Sequence, residues 1–274
     1  MKCRLYIFTS SLVLTVLSLI FFASCQKNAE TIENTEQIEN EIIQSTEEAG
    51  EAEATGETGG DLVTKLLYQG HGSFRLTSQD GTVIYVDPYA GEGYDLPAGI
   101  ILVTHQHGDH NAVNLVTQKD DCTIITNAEA LESGKHNSFM IPTDLTDVYS
   151  SKLTGINIEA VEASNKNHDS KNCVGYIITI DGIKVYASGD TSKTGQMETF
   201  AEKEIDYALL PCDGVYNMDL TEAAECAKLI NAKHNIPIHM KPGELFDRER
   251  AESFDAPNKL IVEAGEEIVL TKLY

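Results

Sequence analysis

The pattern of apolar and polar residues changes near residue 62. From Leu62 onward, short apolar runs alternate with turn residues, which is typical of β-strands. Two pairs of runs, 73–78 with 82–86 and 176–180 with 183–187, each flank an Asp-Gly dipeptide. Asp-Gly supplies the positive φ angles that a tight hairpin turn requires, so the sequence predicts two β-hairpins.

Further elements follow from the same pattern. Six more strands are predicted at 100–103, 123–126, 156–160, 207–210, 236–239 and 267–271. Apolar residues at helical spacing after Asp219 predict a helix that Asp219 caps and that ends near Asn231. Shorter helices are expected at 111–117, 128–134 and 195–202. Alternating strands and helices indicate an α/β fold with two packed sheets beneath outer helices.

Residues 1–25 have the layout of a secretory signal peptide. Lys2 and Arg4 precede an apolar run over 6–23, which ends in Phe22-Ala23-Ser24-Cys25. This ending resembles a bacterial lipobox, with Phe22 where leucine is usual, and implies that Cys25 is lipidated. An uncleaved membrane anchor and plain secretion remain open. All three interpretations place the mature protein outside the cytoplasm, and the first anchors it to a membrane.

Residues 26–61 are expected to be a disordered tether. They contain no aromatic residue, one lysine and eleven acidic residues, so they cannot bury enough apolar surface to fold. A weak amphipathic helix around four isoleucines is the alternative. The chain therefore divides into a signal peptide at 1–25, an acidic tether at 26–61 and a folded domain at 62–274.

The net charge of the chain limits the classes of molecule that it is expected to bind. The formal net charge is −23 over 274 residues, and both the tether and the domain are acidic. Because binding to nucleic acid depends on lysine and arginine contacts to phosphates, an enzyme acting on long DNA or RNA is disfavoured. A small-molecule substrate is expected, and the oligomeric state is left open.

One short segment carries most of the candidate chemistry. The run from Thr104 to His110 follows an apolar stretch and contains His105, His107, Asp109 and His110. Imidazoles and a carboxylate crowd together at low cost only when a cation compensates them, and His with Asp is a ligand set that zinc favours. The segment therefore predicts a metal site at a strand end, against the alternative of a solvated turn.

Three later residues have the same setting at predicted strand ends, namely His168, Asp190 in a Gly-Asp-Thr segment, and His239. Together with the H-x-H-x-D-H run, this ordered set resembles the metallo-β-lactamase superfamily. The resemblance spans nearly all of residues 64–271. It implies a four-layer αββα sandwich and a metal-dependent hydrolase.

Within that superfamily the chain is similar to compact hydrolases related to ascorbate-6-phosphate lactonase. The supporting segments are Gly-His-Gly-Ser-Phe at 70–74, Val-Asp-Pro at 86–88, and Leu-Leu-Pro at 209–211 with the helix after Asp219. Two segments depart from the pattern. Asp213-Gly214 stands where Gly-Gly is usual, and residues 240–243 replace a Tyr-Gly segment, which we expect to alter the rim of the pocket.

The resemblance implies two divalent metal ions, with zinc favoured and manganese or iron open. The first ion would bind His105, His107 and His168. The second would bind Asp109, His110 and His239, and Asp190 would bridge the two. A bound cation lowers the pKa of a water towards neutrality, so hydroxide becomes available to attack an ester, lactone, amide or phosphodiester.

Two residues are candidates for catalysis beyond metal binding. Asp109 could take the proton of the attacking water, and His71 could contact the substrate or the leaving group. Asp87 is expected to orient a ligand imidazole, with a turn-forming role as the alternative. His136 and His234 are expected at the surface.

Three other functions remain open. A surface lipoprotein that binds metal without turnover would keep the same ligands, and a β-lactamase would use them for a different substrate. A diiron redox enzyme would usually need a flavin module, for which the chain has no room. Among the cysteines of the domain, Cys212 is expected in the core; Cys122, Cys173 and Cys226 form no spacing that demands a disulfide.

Overall fold

The structure is a computed structural model that describes residues 62–127, 148–150 and 155–273, with only the backbone described for 148–150. The predicted signal peptide, Cys25, the acidic tether, the helix expected at 128–134 and His136 lie outside the described residues. Within them, no helix is long and apolar enough to cross a membrane.

In the part of the chain that the structure describes, twelve strands form two six-stranded mixed sheets. The first sheet has the order β12-β1-β2-β3-β4-β5. Its strands are β1 (Lys65–Gly70), β2 (Ser73–Thr77), β3 (Val83–Val86), β4 (Ala98–Val103), β5 (Gln118–Thr126) and β12 (Glu267–Val269). The pairs β3–β4 and β4–β5 are parallel, and the other pairs are antiparallel.

The second sheet has the order β11-β10-β9-β8-β7-β6 and repeats this arrangement. Its strands are β6 (Val148–Ser150), β7 (Ile156–Glu162), β8 (Val174–Ile180), β9 (Ile183–Ala187), β10 (Tyr207–Pro211) and β11 (His234–Ile238). The pairs β9–β10 and β10–β11 are parallel, and the rest are antiparallel. Both predicted hairpins are present, as β2–β3 and β8–β9.

Among the described residues, one of the predicted segments forms an α-helix. Helix α1 (Leu220–Ile230) begins as expected, because the Asp219 carboxylate accepts hydrogen bonds from the backbone N–H groups of Thr221 and Glu222. It ends at Asn231, which has a left-handed backbone. A second short helix, α2 (Arg248–Ser253), was not predicted from the sequence.

Two helical predictions were wrong in type. The segment predicted at 111–117 forms only a short 3₁₀ helix, Val113–Leu115, and the segment at 195–202 forms a 3₁₀ helix, Gly195–Lys203. In the second, Met197 and Phe200 are buried, and the ring of Phe200 packs edge-on against Tyr186 of β9 at 5.2 Å. Packing against the sheet therefore decides where this segment lies.

Alternation along the strands of the first sheet divides apolar residues between two layers. Ile84, Ile100 and Leu102 face the main core between the sheets, whereas Tyr85 and Ile101 face a smaller outer cluster. Successive side chains of a strand point to opposite faces, so both faces of this sheet are covered. The outer cover comes from the Val113–Leu115 turn and neighbouring loops.

On the second sheet, α1 buries Ala223, Ala227 and Ile230 against β10 and the Gly195–Lys203 helix. Two central sheets with outer covering elements confirm the predicted α/β sandwich. The helical layer over the first sheet is thin among the described residues. Cys212 is buried as expected, and the four cysteines of the domain are all free.

Ion pairs link the edge strand β12 to strands β1 and β2. The Glu267 carboxylate lies 2.9 Å from Nζ of Lys65 and 3.1 Å from the Arg75 guanidinium. Although partial burial acts to raise the pKa of Glu267, the hydrogen bonds from Lys65 and Arg75 hold it below its ordinary value. A lowered carboxyl pKa stabilises the fold above the unfolded-state pKa of about 4.3, and this contribution is lost as the pH falls through the folded-state pKa.

We therefore expect Glu267→Gln to lower the free energy of unfolding at neutral pH by about 0.5–1 kcal/mol. The difference from the parent should vanish near pH 3, which urea denaturation across pH would measure. Glu202→Gln, in an exposed position on the Gly195–Lys203 helix, is the control. It should change neither the free energy of unfolding nor its dependence on pH. A destabilisation that does not depend on pH would contradict the assignment.

Candidate metal centre

The predicted ligands lie just beyond strand ends, along the seam where the two sheets meet. The first group follows β4, His168 lies in the loop between β7 and β8, Asp190 follows β9, and His239 follows β11. The structure brings together all seven: His105, His107, Asp109, His110, His168, Asp190 and His239.

His105, His107 and His168 form the first cluster. Nε2 of His168 lies 3.1 Å from Nδ1 of His107. The His105 ring lies 4.7 Å from the His107 ring and 4.6 Å from the His168 ring, between centroids. One ligand atom from each residue falls within 4.8 Å of the others, which is close enough for one ion to contact all three.

The second cluster contains Asp109, His110, His239 and also His71. Nε2 of His71 lies 3.2 Å from the Asp109 carboxylate, and its ring centroid lies 3.7 Å from that of His239. His71 is 1% exposed. The sequence led us to expect a residue that lines the pocket, whereas the structure buries His71 beside the second group of candidate ligands.

Asp190 lies between the two clusters. Its Oδ1 is 3.3 Å from Nε2 of His110 and 3.6 Å from Nε2 of His239, and its Oδ2 is 4.0 Å from Nε2 of His168. A carboxylate with one oxygen towards each cluster fits the bridging position that the sequence resemblance implies.

Asp87 stands behind His110. Its Oδ2 accepts a hydrogen bond from Nδ1 of His110 at 2.8 Å, and its two oxygens also accept from the backbone N–H and the hydroxyl of Thr104. This contact favours the orienting role of Asp87 over a purely turn-forming one. It also commits the imidazole proton of His110 to Nδ1, leaving Nε2 directed inward.

Three other imidazoles have an acceptor at Nδ1. Nδ1 of His168 lies 2.9 Å from Oδ1 of Asn165, and Nδ1 of His71 lies 3.1 Å from the carbonyl oxygen of Glu244. Nδ1 of His239 lies 3.0 Å from Oδ2 of Asp213. In neutral His168 and His239 the proton therefore belongs on Nδ1, so Nε2 carries a lone pair, whereas both ring nitrogens of His71 face acceptors.

Several inward atoms are buried without a hydrogen bond among the described residues. They are Nε2 of His105, His110 and His239, and Oδ1 of Asp190. Buried polar atoms are normally paired, so a converging set of unpaired nitrogen and carboxylate oxygen atoms indicates a site for a positive partner. Nitrogen and carboxylate donors of this kind suit divalent zinc, manganese or iron, and the residues present therefore fit a metal.

The charges of the site shift its protonation in opposite directions. Burial acts to lower the pKa of His110, but the carboxylates of Asp190 and Asp87 outweigh it and raise the pKa to about 9. Burial, reinforced by neighbouring imidazoles such as His110, holds the pKa of His105 well below its ordinary value. Burial would raise the pKa of Asp109, yet the hydrogen bond with His71 keeps it well below the usual range.

Backbone strain accompanies the site. His71, Asp87 and His239 have positive φ angles of 57°, 45° and 42°, which L-residues rarely adopt. Hydrogen bonds hold two of them in place: the N–H of His71 donates to Leu245 O at 2.7 Å, and the N–H of His239 donates to His71 O at 2.8 Å. Segments of the chain that bear ligands are thus fixed to each other.

Glycine is required at position 72 because the backbone there passes close to the ring of His110. A Cβ at this position would lie 2.8 Å from the ring of His110. The glycine of the His-Gly-Ser segment therefore lets the backbone pass directly beside a ligand.

Sequence reasoning missed Asn165 and misplaced Asp213. Asp213 stood out as a departure from Gly-Gly and was expected to alter the pocket rim. The structure instead buries it behind His239, with 4% exposure. His234 begins β11 and is partly buried, rather than fully at the surface.

Comparison with known proteins agrees with this geometry. Residues 65–239 match the beta-lactamase superfamily domain. A UPF0173 metal-dependent hydrolase of Thermococcus onnurineus is 30% identical over 192 residues, covering 65% of this chain and 84% of that protein. Another from Rubrobacter xylanophilus is 31% identical over 234 residues, covering 75% of this chain and 96% of that protein.

A solved structure shares the fold. Igni18, a metallo hydrolase from the archaeon Ignicoccus hospitalis, aligns with a TM-score of 0.65 at 24% identity. The alignment covers 77% of this chain and 100% of that chain.

Metal uptake should displace a proton from His110. Below about pH 9 the metal-free imidazole is protonated on both nitrogens, and Nε2 must lose its proton to become a ligand. We expect zinc binding near neutral pH to release about one proton from this residue. Isothermal titration in buffers of different ionisation enthalpy would measure the release, which should fall as the pH rises through about 9. A binding heat independent of the buffer would contradict this.

Proposed function

We propose that this chain, which belongs to the metallo-β-lactamase superfamily and is a metal-dependent hydrolase, uses two divalent ions in its metal centre. With them it would cleave an ester, lactone, amide or phosphodiester bond in a small molecule. The observation that carries the proposal is the convergence of buried, unpaired Nε2 and carboxylate atoms between the two sheets. Their outer nitrogens face acceptors, so the set is organised for cations.

The ligands divide between two positions. His105, His107 and His168 would hold one ion, and Asp109, His110 and His239 would hold the other. Asp190, which approaches both clusters, would be shared. Zinc is the metal we favour for this histidine-rich set, with manganese and iron as the alternatives.

When bound, the ions would supply a water of lowered pKa and polarise the substrate oxygen. The protein supplies the proton path. Oδ2 of Asp109 can accept the proton of the attacking water, and Nε2 of His71 lies 3.2 Å away to share it. Nδ1 of His71 faces the Glu244 carbonyl and its Nε2 faces Asp109, so Nε2 is the nitrogen that can pass a proton towards the leaving group.

The substrate class we favour is a lactone or a phosphodiester. This choice is supported by the segments shared with hydrolases related to ascorbate-6-phosphate lactonase. A long nucleic acid is disfavoured, because the chain carries a net charge of −23. A β-lactam is a less favoured substrate of the same site.

A test combines metal content with turnover. Elemental analysis of protein from its native host, followed by a panel of lactones, phosphodiesters and β-lactams, should show two ions per chain and hydrolysis of a lactone or phosphodiester. Removal of the metal by a chelator should abolish the activity, and the favoured metal should restore it. Two bound ions with no turnover on any substrate would instead favour a surface protein that binds metal without catalysis.

The proton path is tested at His71. His71→Gln keeps a polar side chain of similar reach but cannot relay the proton, so we expect kcat to fall by about 100-fold or more with two ions still bound. His234→Gln, at the start of β11 and away from the clusters, is the matched control and should retain full activity. An unchanged kcat in His71→Gln with full metal content would contradict the role of His71.

The position of the enzyme in the cell is a separate proposal. The segment 1–25 and its terminal Cys25 support an extracytoplasmic domain anchored to the bacterial membrane by a lipid. We expect Cys25→Ser to block lipidation. In cells labelled metabolically with a fatty acid, the variant should therefore be absent from the labelled lipoproteins in a detergent extract. Incorporation of label in the variant equal to that in the parent would contradict the proposal.

A further inference from the structure

A continuous line of polar side chains connects a ligand of the first cluster to a ligand of the second. Nδ1 of His168 lies 2.9 Å from Oδ1 of Asn165, whose Nδ2 donates to Oδ1 of Asn217 at 2.9 Å. Nδ2 of Asn217 donates to Oδ2 of Asp213 at 3.0 Å. The same Oδ2 lies 3.0 Å from Nδ1 of His239. The line therefore runs from His168 to His239 through three hydrogen bonds and one ion-pair contact.

The direction of these contacts is fixed at both ends. Oδ1 of Asn165 also accepts the backbone N–H of Asn167 at 2.8 Å, which determines the orientation of the Asn165 amide. At the other end, the Asp213 carboxylate can only accept. The intervening amide of Asn217 must therefore accept from one side and donate to the other.

Asp213 is a rigid end point. Its second oxygen, Oδ1, accepts the backbone N–H groups of Val215, Tyr216 and Asn217 at 2.5, 2.7 and 3.2 Å. The side chain is buried, and so is that of Asn217. A carboxylate with this many donors has little freedom to move, so it anchors both Asn217 and the imidazole of His239.

The line also joins two separate loops. Asn165 and His168 belong to the loop between β7 and β8, whereas Asp213 and Asn217 belong to the loop between β10 and α1. A rotation of either imidazole removes the contact at its end of the line. The two imidazoles are thus held at opposite ends of one connected set of polar contacts.

We propose that Asn165, Asn217 and Asp213, here called the amide relay, position His168 and His239 as one unit, so that occupation of the two metal positions is coupled. This inference rests on the proposed function in taking the two imidazoles as ligands of different ions. The three residues are positioning residues, since they act through the imidazoles and touch neither ion.

The test is stepwise binding of zinc to the full-length protein, measured by competition with a chromophoric chelator. The decisive variant is Asn217→Leu, which keeps similar bulk and removes both contacts of the central amide. We expect the affinity for both ions to fall by about 10- to 100-fold, although Asn217 contacts no ligand directly. The ratio of the two stepwise constants should also change. Titration with Co²⁺ should show altered absorption bands for both ions.

The matched control is Asn167→Leu. The Asn167 side chain joins the same two loops by donating to Tyr216 O at 2.9 Å, but it contacts no imidazole. If the relay acts by positioning ligands, Asn167→Leu leaves both constants unchanged. If tethering of the loops were the whole effect, both variants would weaken zinc equally, and that result would overturn the relay.

A second variant keeps the proposal testable if Asn217→Leu does not fold. Asn165→Leu alters a partly exposed residue beside His168, and the relay requires that it also weaken the ion held by His239. An effect confined to the first ion would overturn the coupling. The proposed function fails separately: if the parent protein itself binds fewer than two zinc ions, the dinuclear site is wrong and the relay falls with it.

Discussion

The site depends on the different roles of the two nitrogens in each imidazole ring. One nitrogen faces an acceptor supplied by the protein, such as Asp87 behind His110 or Asn165 behind His168, and this leaves the other nitrogen bare. A group of bare nitrogens, buried with the oxygens of Asp190, is unfavourable unless a cation joins them. The packing of the two sheets provides the surrounding framework, because strand ends on both sheets meet at a single seam.

Much of this could be predicted from the sequence, for a definable reason. Strand ends are visible in the chain because apolar runs stop abruptly, and the residues after those stops include the candidate ligands. The run after β4, then Asp190 and His239, all follow this rule. The hairpins were equally visible, since Asp181 and Gly182 adopt the positive φ angles that their turn requires. The cap of α1 by Asp219 is a local signal of the same kind.

The remaining features depend on contacts between segments that are distant in sequence. Nothing local indicates that Asp213 lies behind His239, because the two residues belong to different loops. The Gly195–Lys203 segment likewise packs against Tyr186 of another element, and its 3₁₀ form was not visible in the spacing of its apolar residues. His71 was a candidate catalytic residue from the sequence, but its position beside the second group of candidate ligands could be seen only in the fold.

The left-handed backbone at His71, Asp87 and His239 has an evolutionary consequence. Glycine adopts such angles at no steric cost, whereas these residues pay of order 1 kcal/mol or more each. In a chain selected for thermal stability alone, replacing these three residues by glycine would therefore increase the stability of the fold. The same change would remove two imidazoles of the centre and the carboxylate that orients a third. Persistence of non-glycine residues at these three positions in a lineage is thus a mark of continued selection for activity.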